Sequence, residues 1–489
     1  MKRFAPLPLF LAAALCLLPA PPLRAQDGAE SGSAKPAPAD PTDPRLTFHA
    51  APKPLPEGAQ TADWPRFLGP ADASTTPETK LLKEIPAGGP KIVWEVEKGD
   101  GYATPAIAGG DVFFFHRWEK NETIECREAE TGQLRWLCDY PIVYSDDFGY
   151  SPGPRAGPVV DGDRVYTAGV TGILACWSRA SGEAIWKVDL VQKYDLTKGY
   201  FGYGPAPVVQ GDLLIANVGG KGAEAVGATV VAFDKTTGEE KWKFDHLWGA
   251  SYASPRVAKM RGKDVALVFA GGKSNPPVGG LLLFEAATGK LLDEFPWRAQ
   301  DKFSVNAANP LPISGGQRIF ISECYTEGGV MLEMGEDGKV TPAYKAPDIG
   351  VHWMAPVEKA GHIYGFTGRH ERTSELFCLE AATGKVAWKA MPNLSTTLDN
   401  GREMELPAAR GSLLLAEGRF LCLGEFGGLW WLDLSPDGMK ESSKAQLFAA
   451  PHTWSPPAIS RGLLYIVQHE RDALSDKKPR LICYDFRGE

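Results

Sequence analysis

The sequence lacks several of the short motifs that carry catalysis. It has no Gly-x-x-x-x-Gly-Lys loop to cradle a phosphate. Its eight cysteines include no Cys-x-x-Cys-His, which excludes c-type haem attachment, and no metal-ligand spacing. Basic clusters are missing too. Lys+Arg is 52 against 60 Asp+Glu, a net charge of −8, which argues against nucleic acid as the main partner. No apolar run after the first 25 residues is long enough to cross a bilayer. A mainly helical fold is disfavoured by 54 Gly and 40 Pro in 489 residues, because both interrupt helices. What is present is globular composition, with 44% hydrophobic and 23% charged residues.

The N-terminus reads as an export signal. Lys2 and Arg3 form a short positive region, Phe10 to Leu18 a compact apolar core, and Leu23-Arg24-Ala25 a cleavage site. Pro19, Pro21 and Pro22 cut the apolar run too short for an anchor. Leu15 precedes Cys16 where a lipidation site wants a small residue. Cleavage near Ala25 would leave a secreted or periplasmic chain. Residues 26–60 are rich in Ala, Pro, Asp and Ser, hold few core-building groups, and are expected to form a disordered linker. The remaining 61–489 form one domain.

That domain is a repeat. From residue 91 a unit recurs: an apolar strand after a Pro (Thr104-Pro105-Ala106-Ile107), a Gly-Asp turn, a second strand, a third, then a Thr-Gly turn into a fourth strand carrying Trp. The turn glycine appears at Gly132, Gly182, Gly238, Gly289, Gly338, Gly384 and Gly438, at intervals of 46 to 56 residues. Four short strands at a period near 50 predict propeller blades. Trp136, Trp186, Trp242 and Trp388, four residues after their glycines, are plates able to fill the wedge between blades. Seven complete units span about 102–138, 155–190, 204–245, 252–297, 306–345, 353–390 and 404–449. The last stretch, 454–486, has three strands. Lys91 to Val96 carries Trp94 in the style of a fourth strand. The sequence therefore predicts an all-β, eight-bladed propeller of four-stranded antiparallel blades, with the N-terminal strand completing the last blade and removing its open edge.

The stretch Ala232-Phe-Asp-Lys-Thr-Thr-Gly-Glu-Glu-Lys-Trp242 closely resembles the pyrroloquinoline-quinone-like (PQQ-like) propeller repeat, Ala-x-Asp-x-x-Thr-Gly-x-x-x-Trp. Cys126 to Trp136 and Cys378 to Trp388 match it with Glu for Asp. The resemblance covers about 90–486, and Asp63-Trp-Pro-Arg-Phe-Leu-Gly-Pro70 is similar to the lead-in of secreted proteins with this repeat. It implies two kinds of function. Quinoprotein dehydrogenases of this fold would use PQQ with calcium. The propeller lipoprotein of the outer-membrane barrel-assembly machinery is a scaffold. This chain lacks the adjacent cysteine pair of the first group, a calcium-bound catalytic carboxylate cannot be placed, and the lipidation signal of the second group is unconvincing.

Candidate site residues follow from strand order. The first strand of a blade is innermost, so the loop leading into it opens on the funnel. Three residues before each strand's proline stand Tyr102, Arg155, Gly204, Tyr252, Ala307, Trp353, Met404 and Trp454, with Tyr203 and His352 alongside. Second strands end in loops on the same face, as His116-Arg117-Trp118-Glu119, Arg369-His370-Glu371 and His469-Glu470-Arg471. Aromatic walls with a few polar groups suit a flat ring; the same aromatics would equally serve to plug the channel, and the rim charges to be solvated. Cys126, Cys176, Cys378 and Cys483 share one repeat position, as small apolar fillers, and Cys126 and Cys138 flank a turn where a hairpin disulfide is conceivable. No catalytic residue and no metal ligand are assigned. The expected function is a non-catalytic binding or scaffold protein of the cell envelope acting through its funnel face, a monomer with an envelope protein or polysaccharide as partner. The alternatives are a PQQ-using oxidoreductase and a carbohydrate-binding propeller.

Overall fold

The computed structural model describes residues 37–38, 43–221, 225–397, 401 and 403–489. The expected signal peptide and most of the first part of the linker lie outside the described residues. Eight antiparallel sheets follow one another round a ring, spanning 106–141, 159–189, 208–246, 256–296, 311–346, 357–390, 412–446 and 458–485; we number them blades 1 to 8. Blade 8 takes its fourth strand from Ile92–Glu97, which pairs with Arg480–Asp485. The ring is thus closed by the N-terminal strand, as the repeat predicts. Among the described residues no helix is long and apolar enough to cross a membrane.

The repeat residues show how neighbouring blades dock. Trp94, Trp136, Trp186 and Trp242 lie against the turn glycine of the next blade, and the first three donate their indole N–H to a carbonyl there. Trp94 donates to Ala129 O at 2.9 Å, Trp136 to Arg179 O at 2.9 Å and Trp186 to Lys235 O at 3.2 Å. A side chain at Gly182 would stand 2.5 Å from the Trp136 ring. The cross-strand partner of the Trp is small: Cys126 faces Trp136, Cys176 faces Trp186, Ala232 faces Trp242 and Cys378 faces Trp388. In blades 4 and 5 the facing positions are Asp293 and Pro342, and the same site holds Leu283 and Leu332. A larger third-strand residue there accompanies a smaller fourth-strand one, as close packing favours. The same register opposes the hairpin disulfide. Cys138 pairs with Ile124, not Cys126, and both thiols are free and buried.

Two boundaries differ from expectation. Residues 43–60 belong to the folded body, so the linker ends earlier than composition suggests. Leu46–Phe48 pairs as a fifth strand outside Ile92–Glu97. Arg45 donates to Glu125 at 2.6 Å, and buried Arg127 bridges Glu125 and Asp43. Backbone pairing and a buried ion cluster anchor a segment with little apolar area, and composition does not report either. Blade 7 begins at Ser412–Ala416. The stretch around Met404 instead forms a separate hairpin, Asn393–Thr397 with Glu403–Pro407.

Candidate functional site

The first strands run inward from the funnel mouth, so residues just before them ring the axis. Seven of the eight lead-in positions line one cavity of about 570 Å³: Tyr102, Arg155, Gly204, Tyr252, Ala307, Trp353 and Trp454. Met404 does not, because its hairpin stands outside blade 7; Arg410 takes that place on the wall. The next tier inward is small, with Gly157, Ala206 and Ser254, and leaves the cavity its depth.

The wall is aromatic and basic. Eleven of its twenty-four residues are Phe, Tyr or Trp, three are Arg, and among the described residues it holds no Asp or Glu. The Trp353 and Trp454 rings meet at 4.9 Å, and Tyr102 lies 4.9 Å from Trp454. The Arg410 guanidinium stands 4.9 Å from Trp353 and 5.2 Å from Trp454. Behind the wall it pairs with Glu425, which also accepts the Trp454 indole N–H at 2.7 Å. Arg155 stands 5.7 Å from the Tyr102 ring and pairs with Asp146 at 2.9 Å. Arg369 lies 4.5 Å from the Tyr325 ring and has no carboxylate within 4 Å among the described residues. His352, whose ring is 4.2 Å from that of Trp353, is held neutral; burial, then Arg410 and Arg369, push its pKa down to about 3. Burial raises the Tyr102 phenol to about 12.

Of the other sequence-predicted residues, Arg369 and His370 line the cavity and four do not. His116 is buried in blade 1, its Nε2 2.9 Å from Glu125 and its Nδ1 accepting from the Gly99 N–H. Burial lowers its pKa despite that carboxylate. His469 is buried beside Ser455, with Nε2 2.9 Å from its hydroxyl. Tyr203 is buried and donates to Asn217 O at 3.1 Å. Arg471 turns to solvent and bonds Asp476. Position at a strand end does not report which way a side chain points, and alternate residues face opposite sides of a sheet. The described residues contain no cluster of three His, Cys, Asp or Glu able to hold a metal.

Sequence reasoning did not find the overhang. Phe148 and Tyr150, Tyr200 and Phe201, and Phe303 come from three connections between blades and lean over the cavity. Phe148 meets Phe201 at 5.3 Å, Tyr200 meets Phe303 at 6.0 Å, and Tyr150 meets Trp454 at 5.6 Å. Phe148 and Phe303 are about half exposed. The available signal was the aromatic–glycine run Gly199-Tyr-Phe-Gly-Tyr203 in a connection between blades.

Comparison with known proteins follows this geometry. A search of the curated proteins finds no match. Among solved structures the chain is similar to a europium-containing methanol dehydrogenase, with a TM-score of 0.61 and 11% identity over 87% of this chain and 98% of that one. It is similar to the quinohemoprotein alcohol dehydrogenase from Comamonas testosteroni, with a TM-score of 0.60 and 14% identity over 87% and 81%. It is also similar to BamB from Moraxella catarrhalis, with a TM-score of 0.50 and 12% identity over 82% and 98%. At such identities these likenesses establish the propeller fold alone. Residues 120–390, more than half of the chain, match the family described as outer membrane protein assembly factor BamB, and the chain belongs to that family of PQQ-like repeat propellers.

Proposed function

We propose that this propeller is a non-catalytic binding protein of the cell envelope, and that its central cavity receives a flat, anionic group carried by a small ligand or a partner. The composition of the wall carries this reading: three arginines, eleven aromatic rings and no carboxylate on the described surface. Flat rings offer stacking faces, and a guanidinium in a partly dehydrated site binds carboxylate strongly. Arg369 is the anchor available to a ligand, since Arg155 and Arg410 already hold Asp146 and Glu425. A neutral sugar fits less well. Its hydroxyl donors need acceptors, and the wall offers no carboxylate. The family description, an assembly factor, supports binding over turnover. Export of the chain rests on Lys2, Arg3 and the apolar run to Leu18.

PQQ, the cofactor of quinoprotein dehydrogenases, is a flat tricarboxylate, so its ring and acids suit Trp353, Trp454 and the arginines. Its calcium does not fit. Calcium takes six to eight oxygen ligands, several from carboxylates, and Asn309 is the one amide side chain on the described wall.

The test is a tryptophan-fluorescence titration with PQQ, run in calcium and in EDTA, beside Arg369→Ala and maltotriose. We expect saturable quenching that EDTA leaves unchanged, at least tenfold weaker binding in the variant, and no response to maltotriose. A charge-assisted hydrogen bond of about 1.5–3 kcal/mol sets that factor. Absence of PQQ binding would refute the anion site; calcium-dependent binding would favour the oxidoreductase.

A further inference from the structure

The segment before the first blade runs where a propeller is normally open. Innermost strands leave one edge facing the axis, with unpaired N–H and C=O groups. Residues 64–76 bond to those edges in blades 1, 2 and 7. Trp64 exchanges two 2.8 Å backbone bonds with Ile107 of blade 1, and Pro65 O accepts from Val160 N of blade 2 at 2.8 Å. Leu415 of blade 7 bonds Ser74 O at 2.8 Å and Thr76 N at 3.0 Å. Between them Asp72 pairs with Arg256 of blade 4 at 3.2 Å, and the same guanidinium donates to Pro310 O at 2.9 Å. Ile107, Val160, Arg256 and Leu415 each follow the wall residues of their own strand, so the crossing lies beneath the cavity. Phe67 is its one side chain on the cavity wall, while Trp64 and Leu68 on either side are 1% exposed.

We infer that Phe67 is the floor of the cavity. The segment that carries it converts a through-channel into a blind site with a single mouth, and the leading edge of any ligand rests on this ring. This rests on the reading of the cavity as the binding site. It adds that the ligand must be short enough to stop at Phe67, and that no chain threads the propeller.

The test labels the Phe67→Cys variant with two small methanethiosulfonates, one bearing a sulfonate and one a quaternary ammonium, and reads the modified peptide by mass. Leu68→Cys is the control. We expect the Phe67→Cys thiol to react at least tenfold faster than the control. We also expect the sulfonate reagent to outrun the ammonium reagent, a preference that Arg369→Ala removes. Equal reactivity of the two variants would overturn the floor. Rapid labelling without charge preference would leave the floor standing and overturn the anion-site reading instead. Hydroxyl-radical footprinting of the unsubstituted chain needs no variant to fold. Oxidation of Phe67 between a protected Trp64 and Leu68 is expected, and an unmodified Phe67 overturns the inference.

Discussion

Gly182→Ala tests how the blades hold together. Gly182 sits at φ +77°, in the left-handed region, and an added Cβ would stand 2.5 Å from Trp136 Cε3 and 2.7 Å from Cδ2. Two costs then add. Holding alanine in that conformation costs about 1–2 kcal/mol. Forcing a methyl group into a packed ring costs about 1–3 kcal/mol, since Trp136 is 4% exposed and tied to Arg179 O. We expect a total of about 2–5 kcal/mol. Gly211→Ala separates the two. Gly211 has φ +58° and open space where its Cβ would be, so it bears the conformational cost alone. Urea denaturation of the three chains, followed by circular dichroism, should place Gly182→Ala about 1–3 kcal/mol below Gly211→Ala. In a Trp136→Ala background that gap should close, because the opposing ring is gone. Equal destabilisation by the two substitutions, within about 0.5 kcal/mol, would refute tight docking of Trp136 on the next blade.

Acid should weaken the fold through His352. Its folded pKa is lowered to about 3, so below the ordinary value near 6.5 the unfolded chain binds a proton that the folded chain refuses, and stability falls as pH falls. Between pH 8 and pH 5 this amounts to about 2 kcal/mol, and in denaturation at both pH values His352→Gln should lose that much less than the parent. His116 and His469, also lowered by burial, act in the same direction in both chains and cancel. Asp72→Ala leaves Arg256, itself 6% exposed, without its carboxylate and should cost about 2 kcal/mol, between the values for surface and buried pairs; an unchanged melting temperature would show that the crossing does not depend on that pair. Cys126 and Cys138 should remain thiols in air-oxidised protein, because their strand register sets them diagonally, and a mass 2 Da lower in the peptides joining them would contradict the register.

Much of the architecture was legible because it is periodic. The spacing of Gly132, Gly182 and Gly238 reports a local strand–turn–strand unit. An unmatched three-strand stretch at 458–485 and a stray Trp94 strand can only complete one another. The lead-in positions were legible for the same reason, since the residue before an innermost strand must face the axis: Tyr102, Tyr252, Trp353 and Trp454 do. Where the local unit was irregular, the reading slipped, as at Met404, whose proline belongs to an extra hairpin.

What only the tertiary structure decided is what meets across the ring and which way a rim side chain turns. His116 lies within a second strand and His469 just past one, as His370 does, yet Glu125 and Ser455 draw the first two inward. Arg410 joins the wall because Glu425 holds it between two tryptophans. Phe67 becomes the floor because Trp64 pairs with Ile107 and Thr75 with Leu415, partners 43 and 340 residues away. A repeat encodes the contacts within a blade and between neighbouring blades. Contacts across the axis have no period, and only the closed ring brings their partners within hydrogen-bonding distance.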